Sequence, residues 1–120
     1  MLTTSVDILP IINRTYDLYK LGFDICEHLE KRYRYSLGAS LEQSILSLLE
    51  YLTMAKSAPA PMKATYLLRA NGQLDLARFK VRLMLELGLV NETKLFQAQA
   101  ALGEIGRMLG GWLKKILSTR

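Results

Sequence analysis

The sequence predicts an all-α protein, an up-down-up-down four-helix bundle, and three observations carry that prediction. Apolar residues recur at alternating steps of three and four, the period of a helix and not of a strand. The three prolines, Pro10, Pro59 and Pro61, all fall within the first 61 residues, so the second half is free to form long helices. Four helical segments of about 20–28 residues with short connections pack most simply as a bundle. The 120 residues suffice for one domain with its own core, spanning 1–120.

The first segment, about 8–30, carries Ile12, Tyr16, Tyr19, Phe23 and Cys26 on one face, with Asp7 before Pro10 as its opening. The second, about 37–57, carries Leu41, Ile45, Leu48, Leu52 and Ala55 and stops at the loop SAPAP. The third runs from about 63 to 87 and ends at Gly88. The fourth, about 91–118, opens at Asn91, a favourable N-cap, with Lys94 three positions on in place of the usual glutamate. Its seam, Leu95, Ala98, Leu102, Ile105, Leu109, Trp112 and Ile116, is unbroken over three heptads. Lys114, Lys115 and Arg120 suit the negative end of that helix's dipole.

The third segment has two dry faces. Ala70, Leu74, Ala77, Val81 and Met84 form one stripe, and Leu68, Leu76, Phe79, Leu83 and Leu87 form another on roughly the opposite side. The helix is buried on most sides, or carries apolar residues scattered on a tolerant surface, or has one stripe facing the bundle and the other a second subunit; the length of the stripe and its aromatic favour the subunit. Polar residues fill the edges between. Asn71, Asp75, Arg78, Arg82 and Glu86 lie on one edge, and Arg69, Gln73 and Lys80 on the other. Arg78 and Arg82 project the same way one turn apart. Within one chain they pair with Asp75 and Glu86 as an intrahelical network; repeated around an axis, they form a basic surface suited to phosphates.

Charge is unevenly placed. Residues 1–60 hold six Lys and Arg against seven Asp and Glu, whereas residues 61–120 hold ten against four, so the net +5 belongs to the second half. That asymmetry points toward a polyanionic partner. A second basic run, KRYRY, interleaves Lys31, Arg32 and Arg34 with Tyr33 and Tyr35. It can bind a phosphate backbone and stack bases, or it can cap the first helix.

Several chemistries are excluded. A single cysteine, Cys26, permits no intramolecular disulfide and no cysteine metal cluster. The lone His28 lies two residues from Cys26, so the two side chains point apart and form no nucleophile–base pair. There is no two-histidine metal motif, phosphate-binding glycine loop or serine elbow, so no enzyme, no catalytic residue, no metal and no cofactor is expected. No apolar run spans a membrane and no signal peptide opens the chain, which points to a soluble cytoplasmic protein without a membrane role.

Gly103, Gly106 and Gly110 share one stripe of the fourth segment beside its seam, although each glycine in a helix interior loses roughly 1 kcal/mol. Missing side chains let another backbone approach, so a close helix–helix contact is expected there, and Gly106→Leu is expected to disturb packing or assembly. Gly111 lies off that stripe.

Two runs, LARFKVRLMLEL at 76–87 and GEIGRMLGGWL at 103–113, carry a resemblance. From about residue 14 to residue 116 the chain resembles the accessory variability determinant (Avd) proteins of diversity-generating retroelements. The specific matches are the Arg-Phe-x-x-Arg-Leu and Glu-x-Gly-Arg-x-Leu-Gly-x-Trp runs. The wider relatives are small four-helix proteins encoded in intervening sequences of large-subunit rRNA genes. Their second helix typically carries Ile-Ala-Glu-Gly, where this chain reads YLTMAKS, a departure that favours Avd. The resemblance implies a homopentameric barrel with a basic surface. It would bind the element's reverse transcriptase and template RNA or another nucleic acid, supporting mutagenic cDNA synthesis and retrohoming. Arg78 and Arg82 then match arginines of the family's third helix, and Arg107 the arginine of its glycine-rich run. Lys31, Arg32 and Arg34 match more loosely, and Lys80, Arg69 and Lys114 complete the candidate contacts. Leu76, Phe79, Leu83, Leu87, Gly103, Gly106 and Gly110 are the candidate subunit interface. The alternative is a structural protein of the intervening-sequence type with weak or no polyanion binding.

Overall fold

The structure is a computed structural model that describes residues 9–118, and these form four long helices: α1 (Leu9–Glu27), α2 (Ala39–Ser57), α3 (Ala60–Leu87) and α4 (Glu92–Ser118). Asp7 and Arg120, read above as a helix opening and a dipole partner, lie outside the described residues. α1 packs on α2 and α4, and α3 packs on α2 and α4, so α1 and α3 sit at opposite corners of the bundle. The whole is a rod of 47 × 23 × 19 Å.

The helix ends have local causes. α3 begins three residues earlier than its apolar period suggests, because the extended Pro59 (ψ 151°) offers its carbonyl to the amides of Met62 and Lys63 at 2.9 and 3.2 Å. Pro61 is harmless there, since first-turn amides have no intrahelical partner. The helix stops at Gly88, whose φ of 62° is the left-handed conformation that glycine adopts without a Cβ clash. The amides of Gly88 and Leu89 then close back on the carbonyls of Leu85 and Met84, each at 3.1 Å. At the start of α4, Asn91 Oδ1 accepts from the Thr93 amide at 2.7 Å, the expected N-cap. Lys94 does not serve the cap. Its ammonium instead bridges to Asp24 on α1 and holds that carboxyl below its usual range.

The junction between α1 and α2 also differs from the sequence reading. α1 ends at Glu27, and the chain resumes helix at Lys31–Tyr33, passes through a π-helical stretch at Arg34–Gly38 and runs into α2. KRYRY therefore forms the first turns of the helical stretch that leads into α2. The wide π turn forms around Gly38, which is buried under α1: a Cβ there would meet Leu29 Cδ1 at 3.0 Å and Cys26 Sγ at 3.2 Å. Cys26 donates its thiol to the Gly38 carbonyl at 3.2 Å. Burial first, and then the neighbouring Glu42, push that thiol up to about 12. It stays protonated at any physiological pH, so maleimide at pH 8 is expected to label the native protein on the order of a thousandfold more slowly than a free thiol. Labelling at the free rate would show that α1 opens at this end.

Three core stripes lie where the period places them. Leu41, Ile45, Leu48, Leu52 and Ala55 of α2, Ala70, Leu74, Ala77, Val81 and Met84 of α3, and Leu95, Ala98, Leu102, Ile105 and Leu109 of α4 are all essentially fully buried. Trp112 and Ile116 pack on the edge of that core. α1 needs a correction. Its buried line is Ile11, Thr15, Leu18, Ile25 and Cys26, with Leu29 buried just past its end, whereas Tyr16 is 56% and Phe23 50% exposed. Of the stripe read from the sequence, only Cys26 is buried, and Ile12 and Tyr19 pack at the margin. A threonine fits the core because its hydroxyl donates to the Ile11 carbonyl at 2.8 Å within its own helix.

Candidate nucleic-acid interface

Between α3 and α4 runs an open groove of about 580 Å³, and its lining is Arg78, Arg82, Gln99, Leu102, Gly103, Gly106 and Arg107. Three of the arginines singled out by the sequence thus meet in one place. The edge of α3 supplies Arg78 and Arg82 one turn apart. The outer face of α4 supplies Arg107 one residue after Gly106.

Their partners differ. The Arg82 Nε donates to Glu86 Oε2 at 3.1 Å, the expected pair one turn on, with both side chains largely exposed. Asp75 makes no such pair with Arg78. The Arg78 guanidinium turns the other way, across α4, and Nη2 donates to the Leu102 carbonyl at 3.3 Å. Among the described residues no carboxylate lies within ion-pair distance of Arg78 or Arg107. Of the three guanidinium groups, Arg82 alone is thus ion-paired, with Glu86. Such a groove presents uncompensated positive charge with forked donors, which matches the geometry of phosphate oxygens.

The glycine stripe has an unexpected neighbour. Gly103 and Gly106 line the groove, and among the described residues the nearest atoms to a Cβ at either position belong to side chains. What occupies the space over Gly106 is the Arg78 guanidinium, which a Cβ there would strike, with Leu74 Cδ2 at 3.3 Å beside it. Gly110 is exposed with nothing within 4 Å of a would-be Cβ. It lines a second shallow recess with Leu113, Lys114, Leu117 and Ser118, further along α4.

The other candidates are dispersed. Arg69 is exposed on the opposite edge of α3. Lys80 on that edge folds against α2, where its ammonium donates to Ser44 Oγ at 2.6 Å and the Ser40 carbonyl at 3.1 Å. Partial burial there pulls its pKa down. Lys80 is a tie between helices and does not face the groove. Arg34 caps α1 by donating to the carbonyls of Glu27 at 3.0 Å and Leu29 at 3.4 Å. Arg32 lies over the Tyr33 ring, 4.5 Å from its centroid, and bonds the Tyr33 hydroxyl. Lys31 is exposed on the same turn. None of these three lines the groove.

The second stripe of α3 stands clear of the core. Leu68, Leu76, Phe79, Leu83 and Leu87 remain 44–63% exposed along the outer corner of the bundle. Sequence reasoning missed Gln99, whose amide joins the groove from the turn before Gly103; only its heptad spacing from Gly106 hinted at it. It also missed the exposed Tyr16 and Phe23 face of α1.

Cys26 is in the core while His28 is on the surface, with Nδ1 2.8 Å from the Asp24 carbonyl. Among the described residues no three His, Cys, Asp or Glu side chains converge on a common point, and no helix is long and apolar enough to cross a membrane. A family model described as bAvd-like matches residues 9–116, nearly the whole described chain. No curated protein matches it.

Proposed function

The chain belongs to the bAvd-like family, and from that premise we propose that it is a non-catalytic accessory protein of a diversity-generating retroelement. It binds the element's reverse transcriptase and template RNA, and so supports mutagenic cDNA synthesis and retrohoming in the cytoplasm. The observation that carries the reading is the α3/α4 groove, where Arg78 and Arg107 face solvent without a carboxylate partner. Arg78, Arg82 and Arg107 are the first phosphate contacts; Lys114, Arg69, Lys31 and Arg32 are peripheral.

The working form is a ring of copies, a homopentamer of up-down-up-down bundles. Supporting it are two exposed apolar faces at opposite corners: the Leu76–Phe79–Leu83–Leu87 stripe on α3 and the Tyr16–Phe23 face on α1. Head-to-tail contact between unlike faces is what closes a ring. The groove is then repeated once per subunit, and its uncompensated charge is multiplied with it.

The test is a titration of the full chain with a synthetic template RNA across a range of salt, beside a pull-down with the reverse transcriptase encoded next to it. The expected result is retention of the enzyme and an RNA affinity whose logarithm falls linearly with the logarithm of salt. A chain that ignores both partners at low salt would be a structural protein and no retroelement accessory.

A further inference from the structure

We propose that Gly106 is a positioning residue: the missing side chain forms the seat on which the Arg78 guanidinium is held toward the groove. This rests on the reading of the groove as a phosphate site. Three observations converge on it. Arg78 does not take the partner its own helix offers at Asp75, three residues back. It reaches instead across to the carbonyl of Leu102, whose ordinary helical partner is the amide of Gly106 itself. The guanidinium therefore lies over Gly106, and any Cβ at 106 would collide with Nη2.

The seat matters because of what it leaves free. A guanidinium has five N–H donors, and the bond to Leu102 uses one of them. The remaining donors are presented at the mouth of the groove with the side chain already ordered, so less rotamer freedom is lost when an anion binds. Without the seat, Arg78 is free to swing back along α3 toward Asp75, where a carboxylate would compete with the ligand. The neighbouring Gly103 plays no equivalent part, because a Cβ there would make only ordinary contact with Arg107 at 3.7 Å. This also accounts for a glycine inside a long helix, at a position where alanine would favour the helix itself.

The experiment compares Gly106→Ala, Arg78→Ala and the double variant in the full chain. One readout is the side-chain NMR resonance of Arg78, assigned by its loss in Arg78→Ala; the other is the affinity for a synthetic RNA. Because the clash is with the far end of a flexible side chain, Gly106→Ala is expected to keep its helical content and melting temperature. Its Arg78 resonance should move, and its RNA dissociation constant should rise roughly two- to tenfold, the loss of one pre-ordered side chain. In the double variant, the alanine at 106 should add nothing to the loss caused by Arg78→Ala. An unmoved resonance with parental affinity would overturn the seat, as would an equal loss in both backgrounds. A parental affinity in Arg78→Ala would instead defeat the reading of the groove, and the resonance would still decide whether Gly106 seats the side chain.

Discussion

Leu83→Glu is expected to take the proposed ring apart into folded single chains. Leu83 is 44% exposed in the isolated bundle and Phe79 63%, so neither is needed to close the core. A glutamate at such a site in a monomer changes stability by no more than about 0.5 kcal/mol. Buried in a contact between copies, the same carboxylate loses its water and finds no partner on an apolar face, a penalty of several kcal/mol per contact. A closed ring repeats that penalty at every interface, so the outcome is all or none. Phe79→Glu should behave alike. Sedimentation velocity gives the mass and thermal unfolding gives the fold; the expected pair is a monomer with a parental melting temperature. A variant with parental mass, or a parent that is itself a monomer, would mean that the stripe is not a subunit contact.

Legibility in the sequence followed a physical line. The cores of α2, α3 and α4 were readable because each has one stripe of aliphatic residues at steps of three and four, and the bundle covers it. α1 was not, because it is apolar around more of its circumference. The aromatics at Tyr16 and Phe23 drew the stripe to the wrong side, while the true core line hides Thr15 behind a bond to its own helix. Periodicity reports that a face is apolar, not which of two apolar faces the neighbours cover.

The candidate site was readable as a set of residue types but not as a geometry. Arg78 and Arg82 share an edge by helical arithmetic, and Glu86 pairs with Arg82 as the spacing allows. The same arithmetic offered Asp75 to Arg78, and tertiary structure overruled it through a glycine 28 positions along the chain. Lys80 shows the converse. Its spacing alone marked it as a surface cation, yet it is anchored by Ser40 and Ser44 of a different helix. The π turn before α2 was unreadable for the same reason, since the packing of Gly38 under Leu29 and Cys26 is a contact between segments.

Arg78→Ala combined with Arg82→Ala is expected to leave the bundle and its assembly intact while removing most of its affinity for RNA. The structural loss is small. Arg82 forfeits an exposed pair with Glu86 worth about 0.3–0.5 kcal/mol before salt screening, and Arg78 forfeits a single long bond to a carbonyl that keeps its helical partner. The binding loss is large, because a hydrogen bond to a charged group contributes about 1.5–3 kcal/mol and the groove would keep only Arg107. Two lost phosphate contacts correspond to roughly a hundredfold weaker binding or more at moderate salt. They also make the salt dependence shallower, by about 0.7 per contact on a single strand and about 0.9 on B-form DNA. That change of slope separates lost phosphate contacts from a general loosening of the fold, which would lower affinity without counting contacts. Glu86→Gln gives the opposite sign: freed from its carboxylate, Arg82 should bind RNA more tightly, with the slope kept. If the double variant bound RNA with parental affinity and slope, the arginines would be surface charges only and the polyanion would have to lie elsewhere on the molecule.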